Sequence, residues 1–162
     1  MKSDENATAT VDRADVAGLN ATRQLVTFAL GAEEYGIDIA GVQEINRMVQ
    51  ITHVPRAAAY MEGVINLRGQ LIPVIDLRTR FGMPRIEPTR MSRIIVIEAL
   101  GKRIGMIVDS VSEVVHIPLA NIEPTPDVIT VSHAEFLGGV GKLDQRLIIL
   151  LNVESILNTE EL

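Results

Sequence analysis

A pattern that occurs twice in the same order constrains this chain more than any other feature of its sequence. Leu30-Gly31, Gly36-Ile37-Asp38-Ile39 and Val42-Gln43-Glu44-Ile45 recur as Leu100-Gly101, Gly105-Met106-Ile107-Val108 and Val111-Ser112-Glu113-Val114. Gly36 and Gly105 lie 69 residues apart, as do Glu44 and Glu113. A second block, Tyr60, Gly63-Val64, Leu67, Leu71-Ile72 and Asp76-Leu77, recurs as Phe136, Gly139-Val140, Leu143, Leu147-Ile148 and Asn152-Val153, at an offset of 76. One short block is what chance produces among valine-rich strands. Two ordered blocks point to duplication, with the extra residues of the second copy in the loop around Ile117 to Thr130. Each unit, about 24–90 and about 91–158, is too short for a sandwich of its own. The expected fold is all-β: two pseudo-symmetric five-stranded barrels packed side by side with short helical turns, leaving a groove between them. Whether each barrel coincides with one repeat, or strands are exchanged, stays open.

The local pattern agrees with β structure. Short apolar runs broken by turn residues begin near Gln24, and residues 1–22, without a hydrophobic period, are expected to be disordered. Leu25 to Leu30 alternates, with Val26, Phe28 and Leu30 on one face, and pairs as a hairpin with Tyr35 to Ile39. Further strands are expected at about 63–66, 71–77, 93–100, 102–108 and 146–153, with helical turns at 56–61, 133–137 and 154–161. Pro73 within its strand predicts an edge or a bulge, because proline has no N–H for the ladder.

Composition narrows the function. Hydrophobic residues make up 47% and aromatics 3%, so the core is aliphatic. Six more acidic than basic side chains, with no aromatic stacking platform, argue against nucleic acid as a partner. The chain has no cysteine and no apolar run long enough to span a bilayer, and Met1 to Asp15 lacks the apolar stretch of a secretory signal. The expected location is the cytoplasm. His53, His116 and His133 stand too far apart in sequence for a helical two-histidine metal motif, and neither a phosphate loop nor a nucleophile elbow occurs. No cofactor is expected, and the chain reads as a non-enzyme. The rival reading is a small-ligand-binding or hydrolytic β-barrel using Asp38 or Asp109.

A duplicated unit keeps its core and diverges where each copy meets its own surroundings. Asn66-Leu67-Arg68-Gly69 answers to Lys142-Leu143-Asp144-Gln145, so the charge at Arg68 is reversed. A guanidinium projecting from a tight turn suits a partner's carboxylate or backbone carbonyls. An ordinary solvated arginine is the competing reading. For Val42, Ile45, Val111 and Val114 core packing is favoured over an apolar lining in the groove.

LVTFALGAEEYGIDI, VQEI, GVINLRGQLIPVIDLRTRFG, RIGMIVDSVSEV and EFLGGVGKLDQRLIILLNVESIL together resemble the CheW family of bacterial chemotaxis coupling proteins, across about 23–160. NLRG followed by PVIDLR is the long, specific part. The resemblance implies two SH3-like barrels. It also implies an adaptor that holds a CheA-type histidine kinase in complex with methyl-accepting chemotaxis receptors, reaching the membrane only through those receptors. Carried over by motif, the partner-binding positions are Val42, Glu44, Gly63, Asn66, Arg68, Val111, Val114 and Gly139.

Overall fold

The computed structural model describes residues 21–125 and 134–157. The tail expectation for 1–20, His133, the end of the length-variable loop and the end of the last helical turn fall outside them. The first repeat gives β1 (Thr22–Leu30), β2 (Glu33–Asp38), β3 (Val42–Arg47), β4 (Met61–Leu67), β5 (Gln70–Asp76) and a single helical turn, α1 (Leu77–Arg80). The second gives β6 (Arg93–Ala99), β7 (Lys102–Val108), β8 (Ser110–Pro118), β9 (Ile122–Glu123), β10 (Leu137–Leu143), β11 (Arg146–Leu151) and α2 (Val153–Leu157).

Two sheets result, ordered β8-β1-β2-β11-β10-β9 and β3-β6-β7-β5-β4. Each sheet therefore joins the first hairpin of one repeat to the last three long strands of the other. Each hairpin is joined on one side by a long antiparallel pairing, β1 with β8 and β6 with β3, and on the other by a short parallel one, Gly36 with Leu150 and Gly105 with Val74. Both glycines are required by close approach: a Cβ would lie 2.9 Å from Ile148 at Gly36 and 2.8 Å from Ile94 at Gly105. The strands are exchanged, so neither barrel is one repeat.

Alternation along the strands builds three cores. Leu25, Val115, Ile117, Ile148 and Leu150 fill one barrel; Ile65, Ile72, Val74, Ile94 and Val96 fill the other. The residues between them in sequence, Phe28, Tyr35, Ile37, Ile75, Ile95, Ile97, Ile104 and Met106, turn the opposite way into the largest cluster, between the two sheets. Strands buried on both faces read as continuous apolar runs, which is how RIIVIEA and LVTFAL look. The barrels thus meet through a closed core. Clefts open at its rim, one of about 480 Å3 between Asp38 and Gly41 on one side and Glu98 and Val153 on the other.

The hairpin at 25–39 and the strands at 63–66, 71–77, 93–100, 102–108 and 146–153 occur where expected, each within a few residues. No helix forms at 56–61, where the chain makes turns instead. Pro73 lies on β5, which is flanked by β7 and β4 and is therefore an interior strand without a bulge at Pro73. It is tolerated because the two-residue hairpin makes Leu67 and Gln70 a hydrogen-bonded pair, which puts Pro73 opposite Val64 in a non-bonded pair. Pairing with β7 begins one residue later, at Val74.

Candidate functional site

The site is built from an edge strand and a tight turn. On β3 the register slips between Val42 and Glu44, leaving Gln43 unopposed by β6. Cross-strand partners share a face, so this bulge turns Val42 with Ile97 toward the central core and Glu44 with Val96 to the other side. The β4–β5 hairpin supplies the second component. Asn66 Oδ1 accepts a 2.9 Å hydrogen bond from Gly69 N, and both turn residues have positive φ, 52° at Arg68 and 88° at Gly69. A left-handed backbone is unfavourable for a residue with a Cβ. It is held here by the Asn66 bond and the hairpin twist, and it aims Arg68 across the barrel end at β3.

There Arg68 forms an ion pair with Glu44, with a second contact of 3.4 Å from Nη1 to Oε1. Glu44 is partly covered, with 24% of its side chain exposed, whereas Arg68 is 72% exposed. The hydrogen bond from Arg68 lowers the Glu44 pKa, with Arg103 adding a smaller effect of the same sign. The pair stays ionised at neutral pH. Gln43, Leu67, Gln70 and Arg103 complete a cleft of about 450 Å3 around it. One acid holds one arginine while a second cation stands by, so the cleft offers donors to a partner's acidic or carbonyl groups.

Gly63 sits farther along β4 at a bulge. Its φ is 148°, and a Cβ would fall 2.0 Å from Thr52 O, so the glycine is required by backbone packing. Gly139 repeats this on β10, with φ 136° and a Cβ position 2.8 Å from Glu123 O. Val111 and Val42 both pack against the central core. Ile45 and Val114 do not: both are exposed, against the core placement expected for them. Edge strands β3 and β8 cover one face and leave the other open, which alternation in VQEI and SEVV does not reveal.

The structure therefore gathers Val42, Glu44, Asn66 and Arg68 at one end of the five-stranded sheet, with Gly63 behind them. It places Val111, Val114 and Gly139 at the equivalent positions of the other sheet. None of the eight lines the cleft between the sheets. Sequence reasoning missed Arg103, and it missed Arg146, which holds Glu113 (Nη1 to Oε2, 2.9 Å) and Glu34 (Nη2 to Oε2, 2.5 Å). The repeat carried the signal: Glu113 matches Glu44 and needs a cation that Asp144 cannot supply.

The aspartates proposed for hydrolysis are otherwise engaged. Asp109 accepts from Arg78 Nε at 2.9 Å, Arg78 Nη2 at 2.7 Å and Gly31 N at 2.7 Å, and Arg78 above all holds its pKa down. Asp38 Oδ1 caps the short turn after β2 through Ala40 N, and Arg23 bonds its other oxygen.

The CheW-like domain model matches residues 24–161. The chain belongs to the CheW-like family. It is 36% identical to the chemotaxis protein CheW of Klebsiella aerogenes over 91% of this chain and 89% of that one. With CheW of Rhizobium meliloti it shares 37% identity, over 88% and 92% of the two chains. The crystal structure of the scaffolding protein TtCheW from Thermoanaerobacter tengcongensis superposes with a TM-score of 0.80, at 40% identity, covering 87% of this chain and 96% of that one. Two SH3-like barrels are the shared architecture, and the role is that of a chemotaxis adaptor or scaffold. No described helix is long and apolar enough to cross a membrane.

Proposed function

We propose that this chain couples methyl-accepting chemotaxis receptors to a CheA-type histidine kinase and so places kinase activity under receptor control. The observation that carries the reading is the Arg68 turn: a strained, rigid hairpin holds an exposed guanidinium on Glu44 beside Gln43 and Arg103. A receptor segment presenting acidic or carbonyl groups replaces water at Arg68, and the neighbouring edge strand supplies apolar contact through Ile45, which is 40% exposed. Glu113 and Val114 on the other barrel serve a second contact of different charge, which suits simultaneous engagement of two unlike partners. No covalent step is involved: the chain is not an enzyme, and coupling is a shift in kinase populations on assembly. It works in the cytoplasm and reaches the inner face of the membrane through receptors.

The test is co-sedimentation with receptor-containing membranes and kinase, with phosphorylation of the kinase measured alongside. Wild type joins the complex and changes kinase activity; Arg68→Glu joins at least tenfold more weakly. If wild type does neither, the coupling reading is lost. If Arg68→Glu assembles normally, the role given to Arg68 is lost.

A further inference from the structure

A cationic surface lies at the opposite end of β3 from Val42. Arg47 and Arg93 are directly paired across β3 and β6, and like charges in that relation oppose sheet formation. Among the described residues neither has a carboxylate partner, nor does Arg90, although the whole chain holds 21 acidic side chains. The acids nearest along these two strands are committed elsewhere, Glu44 to Arg68 and Glu98 to Gln43. The arrangement is also fixed in place. Arg93 Nη1 donates to the carbonyls of Arg90 and Ser92 at 2.8 Å each, while Thr89 and Ser92 close a tight turn with bonds of 2.8 and 3.0 Å. That turn presents Arg90 and Met91, the latter 54% exposed. Arg47, Met48, Thr89, Arg90, Met91 and Arg93 line a shallow cleft of about 450 Å3.

Beside the cleft runs an unpaired sheet edge. β3 ends its sheet, and among the described residues its outer backbone groups beyond Val42, whose N–H donates to Ile39 O, bond to no other segment. We infer that this face binds an acidic, extended segment of a partner protein, which adds as a strand along β3 and sets carboxylates against Arg47, Arg90 and Arg93. Backbone bonding gives affinity and the arginines choose the charge. An edge strand with unpaired backbone groups matches an extended peptide better than a lipid headgroup or a nucleic acid, neither of which can continue a backbone hydrogen-bond ladder. This face shares β3 with the Ile45 contact of the proposed function but takes its charge from Arg47, Arg90 and Arg93, none of which that reading uses.

The probe is a fluorescent ten-residue peptide alternating glutamate and valine, titrated with the full chain at 50 mM salt and followed by anisotropy. Its lysine–valine counterpart, a version with proline at alternate valines, a single-stranded RNA and phosphatidylglycerol vesicles serve as comparisons. Expected is binding of the glutamate peptide alone, weakened at least tenfold by Arg47→Glu, by Arg90→Glu and by 300 mM salt. Proline substitution abolishes it. Arg90→Glu lies in a turn outside the sheets, so it keeps the test valid where Arg47→Glu perturbs folding. No binding by wild type, equal binding of the lysine peptide, indifference to Arg90→Glu, or a preference for RNA or vesicles overturns the inference.

Discussion

The hairpin turn at Arg68 and its counterpart at Asp144 share one backbone and carry opposite charge. Both residues are left-handed, with φ of 52° and 56°, and both follow a strand that starts at a glycine bulge. Their surroundings differ. On the five-stranded sheet Glu44 is met by Arg68 from the turn, and the guanidinium stays exposed. On the six-stranded sheet Glu113 is met by Arg146, two positions further on, which is also held by Glu34; Asp144 is left at the tip. Glu34 answers to Arg103 and Arg146 to Gln70 in the other repeat. Duplication preserved the need for a cation beside the β3 or β8 glutamate, while its source moved from the turn to the strand. One end keeps its arginine available, and the other uses its arginine internally.

The largest effects test whether the frames are equivalent. Ile72 and Ile148 are repeat partners, both fully buried in a barrel interior, so alanine at either costs about 3 kcal/mol in urea unfolding. A difference above about 1 kcal/mol between the two breaks the pseudo-symmetry. Next are the bulge glycines. Gly63→Ala costs about 3 kcal/mol and Gly139→Ala about 2 kcal/mol, because the added Cβ meets a carbonyl much more closely at Gly63; the reverse order removes this account of the bulges. Arg146→Ala then lowers stability by about 0.5–1 kcal/mol after solvent screening. Arg68→Ala leaves the unfolding curve in place while weakening partner assembly. An equal loss of stability from both makes the contrast between internal and available arginine untenable.

The smallest effects concern pH. Asp76, the cap of α1, has its pKa raised by burial, and its repeat partner Asn152 caps α2 without a charge. A carboxyl raised on folding contributes stability in acid that is lost as pH rises through its folded value. Asp76→Asn removes that loss, keeps the cap and shifts stability at pH 7 by less than about 1 kcal/mol. Asp109 has the opposite sign: its lowered pKa contributes stability near neutrality that disappears as pH falls below the ordinary aspartate range. Asp109→Asn therefore gives a flatter stability curve in acid, read by thermal unfolding between pH 3 and 7.

Several of these features are legible in the amino-acid sequence alone. The hairpins follow from alternation and Gly turns, and the pairing of Asp76 with Asn152 follows from the second block. The bulges do not show, because one extra residue in VQEI looks like any other polar position; only pairing with β6 reveals that Gln43 has no partner. Ile45 and Val114 are misplaced by periodicity for a related reason. Alternation says which side chains share a face, but not whether another element covers that face, and at a sheet edge it is left open.

The sequence by itself determined that the molecule is two like halves of β structure, with a charge reversal at one turn. Local physics suffices there, since hairpins and turns are encoded over a few residues. The tertiary structure decided which hairpin joins which strands, filled the expected groove with a core, and gave Glu113 its arginine from another strand. Those outcomes depend on contacts between residues as far apart as Glu34 and Arg146. No periodicity records them, because two equivalent repeats accept each other's strands as readily as their own.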